Sequence, residues 1–169
     1  FSKWMNPGLR CGWLTAPRAV LQTRAQGAGP SLGVASATQV LLHAIFEHWG
    51  PQGIDAHVRR VQSAYRRRCA VALRAAEEHL AGLARWEAPR GGMFLWIELL
   101  GVDDSLELLD EMEAEKVVVC PGAYFHHAGG GAESRSPYVR VSFSYAAEES
   151  LVLGFKRLGA VLRRRQAAK

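Results

Sequence analysis

The chain is poor in cysteine: among 169 residues only Cys11, Cys69 and Cys120 occur, an odd number at wide spacing with no Cys-x-x-Cys pair. That excludes a disulfide framework and a structural zinc site, and points to a reducing compartment, the cytoplasm or the mitochondrial interior. Long apolar runs are missing as well. No uncharged stretch approaches the roughly 18 to 20 apolar residues of a membrane-spanning helix. There is no internal repeat, and at 49% hydrophobic and 22% charged residues the composition excludes disorder. The chain opens at Phe1 with neither an initiator methionine nor a signal or transit segment, so a preceding portion is expected.

Charge is present with an excess of one sign: 21 lysines and arginines against 16 acids, a formal +5. Much of the excess lies in Arg66-Arg67-Arg68 and Arg163-Arg164-Arg165, both inside helical patterns. There a run of charge reads as a solvated helix face, so neither nucleic acid nor a membrane surface is expected as a partner.

Periodicity orders the rest. Leu9 to Leu14 reads as a short strand ended by Thr15-Ala16-Pro17, and Pro17 opens a helix that stops at Gly27-Ala28-Gly29-Pro30. Ser36 is placed to cap a second helix, which Gly50-Pro51 ends. Ile54, Val58, Val61, Tyr65, Cys69, Ala72, Ala76, Leu80 and Leu83 then step by three or four, predicting a long amphipathic helix. After Pro89 the period changes. Strands are expected at 93–99, 117–120 (buried) and 138–144, helices at 105–115 and 147–165, and a loop at 126–137. Helices flanking short strands predict an α/β or α+β sandwich.

The residues with chemical promise stand at the two ends. Ser2-Lys3 precedes Arg10 in Pro7-Gly8-Leu9-Arg10. A lysine amine condenses with an aldehyde, while an arginine fork and a nearby hydroxyl grip a phosphate, and pyridoxal phosphate asks a protein for both. On the last strand Arg140 alternates with Val139 and Val141, so it lies on the more polar face and suits a carboxylate. No metal site is expected: His43 and His48 lie five apart on a helix, and His126-His127 have no further ligands in view. Trp13, Trp49, Trp86 and Trp96 read as packing anchors, and Cys120 as an inert core thiol.

Four segments in order, Ser2-Lys3 with Arg10, Arg90-Gly91-Gly92-Met93-Phe94-Leu95-Trp96, Pro121-Gly122-Ala123-Tyr124-Phe125, and Tyr138-Val139-Arg140-Val141-Ser142-Phe143, give the chain its resemblance. It resembles the C-terminal half of a fold-type I pyridoxal-phosphate aminotransferase of the kynurenine/α-aminoadipate group, along essentially its whole length. The resemblance implies that Lys3 is the catalytic lysine forming a Schiff base with pyridoxal 5'-phosphate, that Ser2 and Arg10 contact the cofactor phosphate, and that Arg140 binds the substrate carboxylate. It implies an α/β fragment in three parts: residues 1–50 from the end of the large cofactor-binding domain, 51–88 as a long interdomain helix, and 89–169 as a small C-terminal domain. Amino-acid and 2-oxo-acid substrates and a homodimer of the intact chain follow from it. So does low activity of these residues alone, because the family's pyridine-pairing aspartate and ring-stacking aromatic have no match here. A non-catalytic regulator retaining an aminotransferase-like domain is the alternative.

Overall fold

The computed structural model of the chain describes residues 1–27, 33–126 and 135–167. These divide into two compact units, Phe1–Gln62 and Ser63–Lys169.

In the first unit, Pro7–Leu9 forms a single 3-10 turn. Its start is set by Pro7, whose missing N–H costs nothing there, and by the Asn6 side chain, which accepts a hydrogen bond from Gly8 N at 2.7 Å. Helix α1 spans Arg18–Gly27, directly after Pro17 as expected. The strand expected at Leu9–Leu14 is not formed: residues 11–17 have no regular structure, and Trp13 and Leu14 are exposed. An extended segment becomes a strand only when a neighbour completes its hydrogen-bond ladder, and every strand among the described residues belongs to one sheet in the second unit.

Helix α2 spans Ser36–Leu80 and is broken at Gly50, whose φ of 58° and ψ of −179° are not helical. The cause is local. Pro51 has no N–H to give and disfavours helical geometry in the residue before it, and glycine accepts the positive φ that results. The expected stop at Gly50-Pro51 is thus a break after which the helix resumes in the expected long amphipathic stretch, ending at Leu80 before Gly82 (φ 74°).

The second unit holds a four-stranded antiparallel sheet. Its strands are β1 (Ala84–Trp86), β2 (Phe94–Leu99), β3 (Cys120–Pro121) and β4 (Tyr138–Ser142), in the order β1-β2-β4-β3. One face is the core. Leu95, Ile97 and Leu99 of β2 and Val139 of β4 pack with Ala72, Ala76 and Leu80 of α2, and with Leu151, Phe155, Leu158 and Leu162 of α4, which spans Glu148–Ala167. The spacing of four, three and four along α4 is the apolar stripe of an amphipathic helix. Gly159 lets α4 approach α2, since a Cβ there would collide with the His79 carbonyl.

The helix expected at 105–115 begins as a 3-10 turn, Ser105–Leu108, capped by Asp104, and continues as α3, Leu109–Ala114. The buried strand expected at Val117–Cys120 is corrected. Pairing starts only at Cys120, and Val118 is 93% exposed. The end of α3 explains this: Lys116 N–H bonds Glu113 O and Val117 N–H bonds Met112 O, with Lys116 at φ 57°, a cap that holds Val117 to the helix and delays entry to the sheet. Cys120 is half-buried rather than a core thiol. Strand β1 was not expected; three residues after a helix carry too short a pattern to read. The His127 part of the expected loop lies outside the described residues.

Both arginine runs are largely occupied inside the second unit. Arg164 pairs with Glu115 at 2.7 Å, Arg165 with Glu107 at 2.8 Å and Arg67 with Glu148 at 2.9 Å, while Arg68 donates to the Ser144 carbonyl. No helix among the described residues is long and apolar enough to cross a membrane.

Candidate functional site

The first group of candidate residues sits on the loop from Phe1 to Cys11. Met5 N–H donates to Phe1 O at 2.9 Å and Trp4 N–H to the same oxygen at 3.3 Å, making one closed turn with Ser2 and Lys3 inside it. The Lys3 side chain is exposed and Ser2 is half-buried. Arg10 follows the Pro7–Leu9 turn at φ 46°, with its guanidinium donating to Pro7 O at 3.3 Å. Phe1 N donates to Cys11 O at 3.0 Å, so the ends of the loop meet, and all three candidates lie on one closed loop. An amine, a hydroxyl and a guanidinium on one loop are the donor set that an aldehyde bearing a phosphate needs; by that chemistry the residues fit pyridoxal phosphate.

Aromatic rings anchor this loop. Phe1 lies 4.8 Å from Trp13, 5.4 Å from Phe46 and 5.6 Å from Trp4, measured between ring centroids. His57 of α2 stands 5.0 Å from Trp49 and 6.1 Å from Trp4, and its Nε2 is 2.6 Å from the Trp4 carbonyl oxygen. Sequence reasoning passed over His57. The available signal was its spacing: it falls three after Ile54 and four before Val61, a polar ring within an apolar stripe.

The second group is built around Arg140. In β4, Arg140 is paired with Trp96 of β2 on one side and Cys120 of β3 on the other, on the sheet face opposite the core. Its guanidinium carbon lies 4.1 Å from the Phe94 ring centroid and 4.5 Å from that of Phe125, a cation held against two rings. Trp96, expected to be a packing anchor, is instead on this open face, stacked on Tyr138 at 5.5 Å and edge-on to Phe125 at 5.3 Å. Trp13, read the same way, packs on Phe1 while remaining 68% exposed.

The motif glycines have structural reasons. Gly92, at φ 81°, makes the turn that admits Phe94 to β2. Gly122 lies flat against the next segment, where a Cβ would collide with Ser136 Oγ and stand 2.8 Å from the Tyr138 carbonyl. From it the 3-10 turn Gly122–Phe125 carries Phe125 to Arg140. Three separate motifs therefore meet at one guanidinium. Beside them a groove of about 1010 Å³ is lined by Arg85, Trp86, Arg90, Phe94, Trp96 and Tyr138, among others.

Comparison with known proteins gives the class. Residues 1–152 match the family described as aminotransferase class I and II. The mitochondrial kynurenine/alpha-aminoadipate aminotransferase of Bos taurus is 34% identical over 169 residues, covering 96% of this chain and 38% of the relative. An uncharacterized HTH-type transcriptional regulator of Bacillus subtilis, YdfD, is 29% identical over 163 residues, covering 96% and 32%. The solved structure of LysN, an alpha-aminoadipate aminotransferase from Thermus thermophilus complexed with N-(5'-phosphopyridoxyl)-L-leucine, superposes with a TM-score of 0.84 at 29% identity, over 100% of this chain and 42% of that one. The chain belongs to the class I and II aminotransferases, pyridoxal-phosphate enzymes of fold type I, and the part of that fold it spans is mixed α/β. It covers 38% of the length of the bovine relative.

Proposed function

We propose that this chain is the lysine-bearing segment and small domain of an aminotransferase that moves the amino group of an aromatic, aminoadipate or branched-chain amino acid to a 2-oxo acid such as 2-oxoglutarate. The observation that carries the reading is the convergence of three family motifs on Arg140, within a chain whose family match also contains the Ser2-Lys3 turn. In this reading residues 1–50 belong to the large domain, 51–88 form the interdomain helix and 89–169 the small domain, and the intact chain works as a homodimer. These 169 residues assayed alone have little or no transaminase activity, in keeping with the 38% of the bovine relative that they span.

Pyridoxal phosphate, when bound, supplies the electron sink that lets a proton leave the substrate's Cα. Ser2 and Arg10 would hold its phosphate and Lys3 Nζ its aldehyde carbon. Arg140 grips the α-carboxylate with two parallel hydrogen bonds, and Phe94 and Phe125 keep the guanidinium plane from turning away. Fixing the carboxylate would fix Cα for proton transfer, and Lys3 Nζ is the proposed base.

The test is Arg140→Lys in the full-length polypeptide carrying these residues. A lysine keeps the charge and loses the fork, so KM for the amino-acid donor should rise about tenfold or more. An unchanged KM removes Arg140 from the carboxylate site. The likeness to YdfD favours a second reading, a regulator that keeps the domain without turnover. Duplex binding by the full-length polypeptide together with absent transamination would establish that one.

A further inference from the structure

We infer that Trp96 is a positioning residue for the carboxylate grip: it holds the Phe125 ring against Arg140, and through that ring it sets the direction of the guanidinium. The inference deepens the proposed function and rests on the role proposed there for Arg140.

Burial does not fix the side chains of this open sheet face, where Phe125 is 45% and Trp96 41% exposed. The turn Gly122–Phe125 is seated at its first residue, where Gly122 lies against Ser136 Oγ and the Tyr138 carbonyl. The backbone therefore delivers Phe125 to the neighbourhood of Arg140, while rotation about the side chain's own bonds decides whether its ring faces the cation. An exposed ring over a cation is a weak contact, so a second contact on that ring matters. Trp96 supplies one. It lies in β2 directly opposite Arg140 of β4, and its ring stands 5.3 Å from that of Phe125 at 86°, the perpendicular arrangement that aromatic quadrupoles favour. Trp96 is itself steadied by Tyr138, its diagonal neighbour across β4, which stacks on it at 5.5 Å and 12°. The contacts run in series from Tyr138 through Trp96 and Phe125 to the guanidinium, whose carbon is 4.5 Å from the Phe125 centroid. The core does not need an indole at this position, because Leu95 and Ile97 on either side in sequence are the buried residues of the strand. What the indole adds is a wide ring that reaches Phe125.

The first readout needs no turnover. Phenylglyoxal labels guanidinium groups, and peptide mapping of the 169-residue chain gives the labelling of Arg140 relative to Arg18, which is exposed on α1. Trp96→Leu should raise that ratio about threefold or more, and Trp96→Phe, which keeps a ring, should return it to within about 1.5-fold of the unaltered chain. In a Phe125→Leu background Trp96→Leu should change the ratio by less than about 1.5-fold, because its effect passes through the missing ring. A ratio unchanged in Trp96→Leu, or a rise of equal size in both backgrounds, overturns the inference. The second readout is kinetic, in the full-length polypeptide. Trp96→Leu should raise KM for the amino-acid donor about threefold with kcat held within about twofold, whereas a merely structural loss would lower kcat at constant KM and overturn the inference. Arg140→Lys separates the two failures. If it raises KM and Trp96→Leu does not, Trp96 loses its positioning role; if neither raises KM, the proposed carboxylate role of Arg140 falls. Should Trp96→Leu fail to fold, proton spectra of the unaltered chain decide the matter: cross-relaxation between the Trp96 indole and the Phe125 ring supports the contact, and its absence overturns it.

Discussion

The two units place their functional side chains on opposite kinds of support. In Ser63–Lys169, Arg140 stands on a sheet whose other face is a continuous core of fully buried residues, among them Leu95, Ile97, Val139, Phe143 and Leu158. In Phe1–Gln62, Leu42 is the buried hydrophobic residue recorded among the described positions, while Trp13, Leu14, Val40 and Leu41 are all more than half exposed. Lys3 and Arg10 are carried by a loop held together by ring contacts and a few hydrogen bonds. The contrast teaches that a guanidinium can be fixed by the core behind its strand, whereas the loop of Phe1 to Cys11 depends on individual contacts, among them that of His57 Nε2 with the Trp4 carbonyl.

The comparison can be broken by substitutions of graded effect. Phe143→Ala should be the most damaging, destabilising by about 3–5 kcal/mol, because it empties a fully enclosed site in the second unit. Trp13→Ala, removing a larger but 68% exposed ring from the first, should cost under about 1 kcal/mol. Urea unfolding measures both, and the reverse ranking would contradict the contrast. Gly122→Ala comes next: with Ser136 Oγ and the Tyr138 carbonyl in the way of a Cβ, it should cost about 1–3 kcal/mol and displace Phe125 from Arg140. A melting temperature equal to that of the unaltered chain would show that the turn is not tightly seated.

Smaller effects sharpen the picture of the second unit. Phe125→Leu removes one of two rings from the guanidinium, a loss of about 0.5–2 kcal/mol, and should raise the reactivity of Arg140 toward phenylglyoxal, read by peptide mapping. Least costly is Arg164→Ala: its bridge to Glu115 is exposed and should contribute no more than about 1 kcal/mol, as chemical denaturation would report. Cys69 gives a pH dependence. Burial pushes its thiol up, so the contribution it makes to stability is complete below the ordinary thiol range and is lost as pH rises through the raised value. Alkylation of Cys69 should accordingly require a higher pH in the folded chain than in urea.

Much of the second unit was legible because its patterns are local. The helix expected at 147–165 is α4, Glu148–Ala167, and alternation around Val139 and Arg140 identified β4 with its polar face. Leu9–Leu14 misled because strand propensity is realised only through a partner strand, which no local pattern reports. Val117–Val119 misled because the cap of α3 claims Val117 first. At the site, Ser2, Lys3, Arg10 and Arg140 were named from family motifs. The pairing of Phe94 and Phe125 across Arg140, and of His57 with Trp4, arises from contacts between distant segments, which spacing alone does not show.

Trapping with pyridoxal phosphate and borohydride in the full-length polypeptide, followed by peptide mapping, tests the central claim most directly. The account predicts one stoichiometric pyridoxyl group, on Lys3. A stoichiometric label on any other lysine, or none at all, would contradict it.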